Sequence, residues 1–138
     1  MNKDLQSKYV ELQLLDQQIK QAQKQIELVE NQVTELEAIN QSLQEFSTTS
    51  AGTEILMPLS GGVFAKAELK DNKNLIVNVG AGTAVTKSVP DTEKLVTNQM
   101  NELLKVRDEL LFQLQQHVNK AQNIQQELER LSKNKLKE

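Results

Sequence analysis

The chain has 138 residues and a formal net charge of -3, so its surface is poorly suited to binding the phosphates of nucleic acid. Only 3% of its residues are aromatic while 25% are charged, which favours narrow helix-to-helix contacts over a thick globular core. It contains no cysteine, which excludes disulfides and thiolate chemistry, and it has no apolar run of membrane-spanning length. We therefore expect a cytoplasmic protein with no membrane and no nucleic-acid partner.

The glycines and prolines are confined to the middle of the chain. All five glycines and both prolines lie between Gly52 and Pro90. Because these residues interrupt regular structure most strongly, their distribution predicts two long arms joined by a short, turn-rich head. We expect a single domain over residues 1–138, made of an N-terminal helix (1–50), a head (51–89) and a C-terminal helix (90–138).

The first arm carries a heptad repeat over about six heptads, which is typical of a coiled coil. Ten of its twelve a and d positions are apolar. A helix of this length, about 65–70 Å, cannot bury such a stripe alone and needs a partner helix. The a positions are Leu5, Leu12, Ile19, Ile26, Val33 and Asn40, and the d positions are Lys8, Leu15, Ala22, Val29, Leu36 and Leu43.

The second arm opens with a capping-box pattern, in which Ser88 precedes Asp91 by three residues. Its length matches that of the first arm, so the two helices are expected to pair antiparallel. The only histidine, His117, is interpreted as a tolerated polar residue of the contact stripe. That stripe comprises Val96, Met100, Leu103, Arg107, Leu110, Leu114, His117, Ala121, Ile124, Leu128 and Leu131.

The head is expected to form four short strands in two hairpins: 55–59 with 63–69, and 75–79 with 84–89. Gly80-Ala81-Gly82 is interpreted as a turn, because a phosphate-binding loop would be followed by a helix rather than by a strand. Four short strands leave two open edges, which predicts pairing with other subunits in a closed barrel. The expected oligomerisation surface consists of apolar strand residues: Ile55, Leu56, Leu59, Val63, Ala65, Ala67, Leu75, Val77, Val79 and Val85.

No pattern in the sequence indicates catalysis. A single histidine without cysteine cannot build a typical zinc or catalytic cluster. We therefore predict no catalytic residues, no metal site and no cofactor. Two functional classes stay open at this point: a chaperone that binds by apolar contact, and a structural coiled-coil adaptor or scaffold subunit.

The head resembles that of the prefoldin alpha-class subunits. The similarity lies in residues 55–69, ILMPLSGGVFAKAEL, and in residues 75–85, LIVNVGAGTAV. It implies an α+β fold in which a long two-helix coiled coil joins two β-hairpins of a β-barrel platform. It also implies an ATP-independent co-chaperone, assembled as two alpha and four beta subunits, that delivers unfolded client proteins to a group II chaperonin.

The resemblance places client binding at the tips of the helices. The residues expected there are Leu5, Tyr9, Val10, Leu128, Leu131 and Leu136. Tyr9 and Val10 fall outside the a and d positions, so they are either scattered apolar surface residues or an apolar flank that binds other proteins. The seam residues of the tip either bind clients when the ends separate or only close the coiled coil, and for Leu12 and Ile124 the second interpretation is favoured.

Overall fold

The computed structural model describes residues 3–136, and the side chains of residues 3–134. In chain order the elements are a helix, four strands and a second helix. They are α1 (Lys3–Thr48), β1 (Glu54–Ser60), β2 (Val63–Glu68), β3 (Asn74–Gly80), β4 (Thr83–Ser88) and α2 (Val89–Leu136). This confirms the predicted fold of two long helices joined by two β-hairpins, while barrel closure remains a prediction.

The burial of α1 follows the heptad repeat. All twelve predicted a and d positions are buried or half-buried, including the polar Lys8 and Asn40. The other residues of α1 are exposed apart from Glu11 and Phe46. A spacing of 3.5 residues keeps these positions on one side of the helix, so the sequence period alone located the buried stripe.

Hydroxyl side chains cap the C-terminal end of α1. Ser47 Oγ donates to the carbonyl of Gln44 at 2.8 Å, and Thr49 Oγ1 donates to that of Glu45 at 2.7 Å. These bonds satisfy carbonyl groups that the last turn of a helix leaves without an amide partner. Gly52 then adopts a φ of 88°, and its amide donates to the carbonyl of Leu69 at 2.6 Å.

The predicted serine cap begins α2. The backbone amide of Asp91 donates to Ser88 Oγ at 3.2 Å, and Thr92 Oγ1 donates to the Ser88 carbonyl at 2.8 Å. Helix α2 begins at Val89, which was expected to be the last residue of the fourth strand. Val89 is buried, and its amide donates to the carbonyl of Lys73 at 3.0 Å.

The four strands form two separate antiparallel sheets, β1 with β2 and β3 with β4. Each hairpin turns through two residues with positive φ, as in the type I′ turns that suit strand twist. These are Gly61 and Gly62 (55° and 82°) in the first, and Ala81 and Gly82 (52° and 72°) in the second. One unpaired residue, Leu59 or Val79, forms a bulge just before each turn.

The chain divides into two compact units. One comprises Met1–Gln32 with Leu103–Glu138, and the other comprises Val33–Glu102. Within the first unit, Leu15 packs with Ala121, Ile124 and Leu128 in a buried cluster. The second unit contains both hairpins, and its buried residues are Val33, Leu43, Val89, Thr92 and Val96.

Candidate functional sites on the helix tip and the hairpins

The helix tip is defined here as residues 3–15 of α1 with residues 120–134 of α2. Its core is the buried cluster of Leu15, Ala121, Ile124 and Leu128, and Leu5, Leu12 and Ile19 pack against that cluster as partly buried residues. Residues early in α1 thus contact residues late in α2. This arrangement confirms the antiparallel pairing of the two helices at the tip.

Two ion pairs of opposite sense cross between the helices beside this cluster. Lys8 Nζ on α1 lies 2.5 Å from Glu127 Oε2 on α2, and Lys120 Nζ on α2 lies 3.8 Å from Glu11 Oε1 on α1. The hydrogen bond between Lys8 and Glu127 raises the pKa of the lysine and lowers the pKa of the glutamate. Both residues therefore stay charged at neutral pH, and the two pairs link α1 to α2 beside the buried cluster.

The predicted tip residues occupy three different environments. Tyr9 and Val10 are exposed, Leu5 and Leu131 are half-buried, and Leu128 is buried in the cluster. The side chain of Leu136 lies outside the described part of the chain. Leu14, one turn after Val10, is also exposed, so α1 presents an apolar flank of Tyr9, Val10 and Leu14.

The first hairpin presents apolar side chains on both of its faces. Because paired residues share a face, Ile55, Met57, Ala65 and Ala67 lie on one side. Leu56, Pro58 and Phe64 lie on the other side with Lys66. All the large members of both sets are exposed within the described part of the chain, whereas Ala65 and Ala67 are half-buried.

The second hairpin has one partly covered face. Leu75, Val77 and Val85 are half-buried on the same side. Leu75 lines a cleft with Ile39 and Phe46 of α1, so apolar residues near the end of α1 face this hairpin. On the opposite side Ile76 is 81% exposed.

The predicted oligomerisation residues therefore divide between exposed and half-buried positions. Ile55, Leu56, Leu59, Val63 and Val79 are exposed, whereas Ala65, Ala67, Leu75, Val77 and Val85 are half-buried. The sequence prediction missed Met57, Phe64 and Ile76, three exposed apolar residues of the same hairpins. Each is an apolar residue that adjoins a predicted position in the same strand, which is the signal that could have found them.

A short linker connects the hairpins and contacts the end of α1. Asn72 Nδ2 donates to the carbonyl of Thr49 at 3.1 Å. Asp71 Oδ1 accepts from the backbone amides of Lys73 at 2.8 Å and Asn74 at 3.2 Å, forming an Asx-type turn. The Lys73 amide is the main cause of a lowered pKa at Asp71, and the Asn74 side chain and amide add to it.

Within residues 3–136, neither helix is long and apolar enough to span a membrane. The same part of the chain contains no group of three His, Cys, Asp or Glu side chains arranged to hold a metal ion. The surfaces that stand out are instead apolar: the tip flank and the hairpin faces.

The fold and these surfaces define a class of protein: a two-helix coiled-coil subunit whose β-hairpins present uncovered apolar faces. A family model described as "Prefoldin subunit" matches residues 15–134. The chain belongs to the prefoldin family.

Curated relatives are similar to this chain over most of its length. Prefoldin subunit alpha of Archaeoglobus fulgidus is 31% identical over 126 residues, 91% of this chain and 92% of that protein. Prefoldin subunit alpha of Methanococcus vannielii is 28% identical over 94% of this chain and 87% of that protein.

A solved structure has the same fold. A chain of a filamentous PFD from Methanocaldococcus jannaschii, determined by cryo-EM, matches with a TM-score of 0.75. It is 16% identical, and the match covers 83% of this chain and 94% of that chain.

Proposed function

We propose that this chain is the alpha-class subunit of a hexameric prefoldin containing two alpha and four beta subunits. As a member of the prefoldin family it has a co-chaperone role, and the family is not one of enzymes. In this proposal the chain works in the cytoplasm without ATP, holds unfolded proteins, and transfers them to a group II chaperonin.

The exposed apolar residues of the hairpins support assembly through the head. An isolated two-stranded hairpin is at best marginally stable in water. Here the first hairpin leaves Leu56, Met57 and Phe64 exposed, and the second leaves Ile76 exposed. Strands from neighbouring subunits would cover these side chains and pair the open strand edges.

The observation that carries client binding is the exposed flank of Tyr9, Val10 and Leu14 on α1. These residues lie outside the buried seam, so a client can contact them without separating the helices. Each buried side chain of this size contributes about 1–3 kcal/mol of apolar contact. Such contacts are weak singly, and several tips of one hexamer acting on one client would raise the overall affinity.

The test is a double substitution, Tyr9→Ser with Val10→Ser, in the hexamer assembled with beta-type subunits. The hexamer should form normally, because neither side chain is in the seam. The aggregation of a diluted denatured protein is followed by light scattering. Preventing it should require a concentration of the variant hexamer at least about threefold higher than that of the unmodified hexamer, since two apolar contacts per alpha subunit are lost.

Leu28→Ser is the matched control. Leu28 is 60% exposed and Val10 is 58% exposed, both on α1, so Leu28→Ser removes about as much apolar surface as the Val10→Ser half of the double variant. The control should protect clients as the unmodified hexamer does. Equal protection by the double variant and the unmodified complex, with several clients, would contradict client binding at this flank.

A structural adaptor is the second candidate, and exposed apolar residues away from the tip favour it. Leu28 on α1 and Phe112 on α2 are both exposed, and a folded partner could dock on such residues. A holdase suppresses aggregation of several unrelated denatured proteins, whereas an adaptor suppresses none. Aggregation assays with unrelated clients therefore distinguish the two functions.

A further inference from the structure

Each strand of the first hairpin has an outer edge, the side that faces away from the strand it pairs with. In an antiparallel pair, every second residue directs its N–H and C=O groups to that outer edge. The amide of Leu69 donates to the carbonyl of Thr53 at 2.9 Å, so the next pair, Glu54 with Glu68, directs its backbone groups outward. The outward residues that follow by alternation are Leu56 and Pro58 on β1, and Lys66 and Phe64 on β2.

The outer edge of β1 is interrupted by a proline. Pro58 is paired with Phe64, and because proline has no N–H, this pair makes no mutual hydrogen bonds, in agreement with the alternation. The outer edge of β1 therefore lacks a donor at Pro58, and the bulge at Leu59 follows directly. Prolines and bulges on an edge strand both hinder the addition of a further strand.

The outer edge of β2 has no such interruption. Phe64, Lys66 and Glu68 each direct an N–H and a C=O group outward. Within the described part of the chain, none of these backbone groups has a hydrogen-bond partner. The edge can therefore form a continuous ladder with a strand of another chain.

Both outer edges of the second hairpin are partly occupied. By the same alternation, Asn74 on β3 and Ser88 on β4 direct their backbone groups outward. The Asn74 amide already donates to Asp71 Oδ1 at 3.2 Å, and the Ser88 carbonyl accepts from Thr92 Oγ1 at 2.8 Å. Among the four described strands, β2 alone keeps every outward group available.

The charges beside this edge indicate what kind of strand fits it. Glu54 and Glu68 are exposed and lie directly opposite each other, and like charges in this position destabilise a hairpin. A basic side chain beside Glu68 on an added strand would offset the repulsion. Lys66, two residues before Glu68 and on the same face, favours an acidic neighbour on that strand.

We propose that a strand of a beta-type subunit is added to this chain at the outer edge of β2, and that Pro58 keeps the outer edge of β1 unpaired. The added strand carries an acidic residue opposite Lys66 and a basic residue opposite Glu68. This inference rests on the proposed assembly with beta-type subunits and names the edge at which that assembly occurs.

The first test is amide hydrogen exchange, read at single residues by mass spectrometry with electron-transfer fragmentation. On assembly of the unmodified chain with a beta-type subunit, the amides of Phe64, Lys66 and Glu68 should exchange at least about tenfold more slowly, because each gains a carbonyl partner. The amides of Glu54 and Leu56 should change by less than about twofold. No slowing on β2, or equal slowing on both edges, would overturn the inference.

A matched pair of proline substitutions tests the same edge. Glu68→Pro and Glu54→Pro each remove one glutamate and one outward amide, and neither removes a hydrogen bond within the hairpin. Both also relieve the repulsion between the two glutamates. Native mass spectrometry measures the concentration of beta-type subunit at which half of the chain is assembled. Glu68→Pro should raise it at least about tenfold, since a carbonyl of the added strand loses its donor, and Glu54→Pro should change it less than about twofold.

The amides that bond within the hairpin check that both free variants fold, because they should exchange as in the unmodified chain. Equal weakening of assembly by the two substitutions would overturn the inference. The exchange test uses the unmodified chain and decides the inference even where a proline variant does not fold. A hexamer whose β2 amides stay unprotected contradicts this inference alone, whereas failure of the unmodified chain to assemble contradicts the proposed function as well.

Discussion

The two hairpin turns place different residues in the same backbone conformation. The first turn uses Gly61 and Gly62, whereas the second places Ala81 at a φ of 52° before Gly82. An L-residue with a side chain pays about 1–2 kcal/mol in this region, and asparagine pays less than alanine because its side chain bonds locally. The second turn therefore carries backbone strain that the first does not.

This strain predicts opposite effects of two substitutions at one position. Ala81→Asn should stabilise the protein by about 0.5–1 kcal/mol, because Asn-Gly is favoured in type I′ turns. Ala81→Val should destabilise it by about 1 kcal/mol or more, since a β-branched side chain fits positive φ poorly. Urea denaturation of the assembled complex measures both, and a shift of the two midpoints in the same direction would contradict the turn assignment.

Asp71 makes a pH-dependent contribution to the linker between the hairpins. Its folded pKa is lowered, mainly by the amide of Lys73, from an ordinary value of 3.8. Its contribution to stability is therefore complete above that value and is lost as pH falls through the lower folded pKa. Between pH 5 and pH 3, Asp71→Asn should lose less stability than the unmodified protein, as measured by thermal unfolding at each pH.

Asp16→Asn on α1 is the control for this comparison, because Asp16 is an exposed carboxylate of a helix. It should lose stability over this pH range as the unmodified protein does. Identical pH profiles for Asp71→Asn and the unmodified protein would show that the Asx turn contributes no pH-dependent stability.

At the scale of elements, the helices were the most predictable part of the fold. Apolar periodicity depends only on the helix itself, so the seam of α1 and that of α2 could be read from spacing. The glycine-rich segments Gly61-Gly62 and Gly80-Ala81-Gly82 likewise located both hairpin turns. The exact start of α2 was missed by one residue, because Val89 is equally suited to a strand and its burial depends on tertiary contacts.

Adjacent leucines of α1 test the seam directly. Leu15 is 4% exposed and lies in the buried cluster, whereas Leu14 is 53% exposed. Leu15→Ala should destabilise the paired helices by about 2–4 kcal/mol, and Leu14→Ala by less than about 0.5 kcal/mol. The measurement is urea denaturation followed by helical circular dichroism, and equal losses for the two variants would refute the heptad register at the tip.

At the scale of the whole molecule, the candidate sites were harder to predict than the fold. Which strand face lies against a helix depends on tertiary packing, so the exposure of Ile76 and the half-burial of Val77 could not be read from alternation alone. At the tip the apolar period did predict that Leu128 is buried and Val10 exposed, but not that Leu5 and Leu131 are only half-buried. The spacing of apolar residues in the sequence identifies which residues form the apolar stripe of a helix. The surface that packs against this stripe determines how much of it remains exposed.

If the subunits assemble through the head, formation of the hexamer should depend strongly on Ile76. Ile76→Asp should abolish the hexamer, because a charge placed in a subunit contact without a partner costs several kcal/mol. Phe112→Asp is the control, since Phe112 is 65% exposed on α2 and belongs to neither hairpin. Size-exclusion chromatography with light scattering should show a hexamer for the control and smaller species for Ile76→Asp, and a hexamer from both would place the subunit contact elsewhere.

The most direct test of the account is the composition of the complex that this chain forms with a beta-type prefoldin subunit. The two purified proteins are mixed, and native mass spectrometry counts the subunits of each kind. The account predicts one dominant species with two copies of this chain and four copies of the partner. A chain that stays by itself, or that forms complexes containing no beta-type subunit, would contradict it.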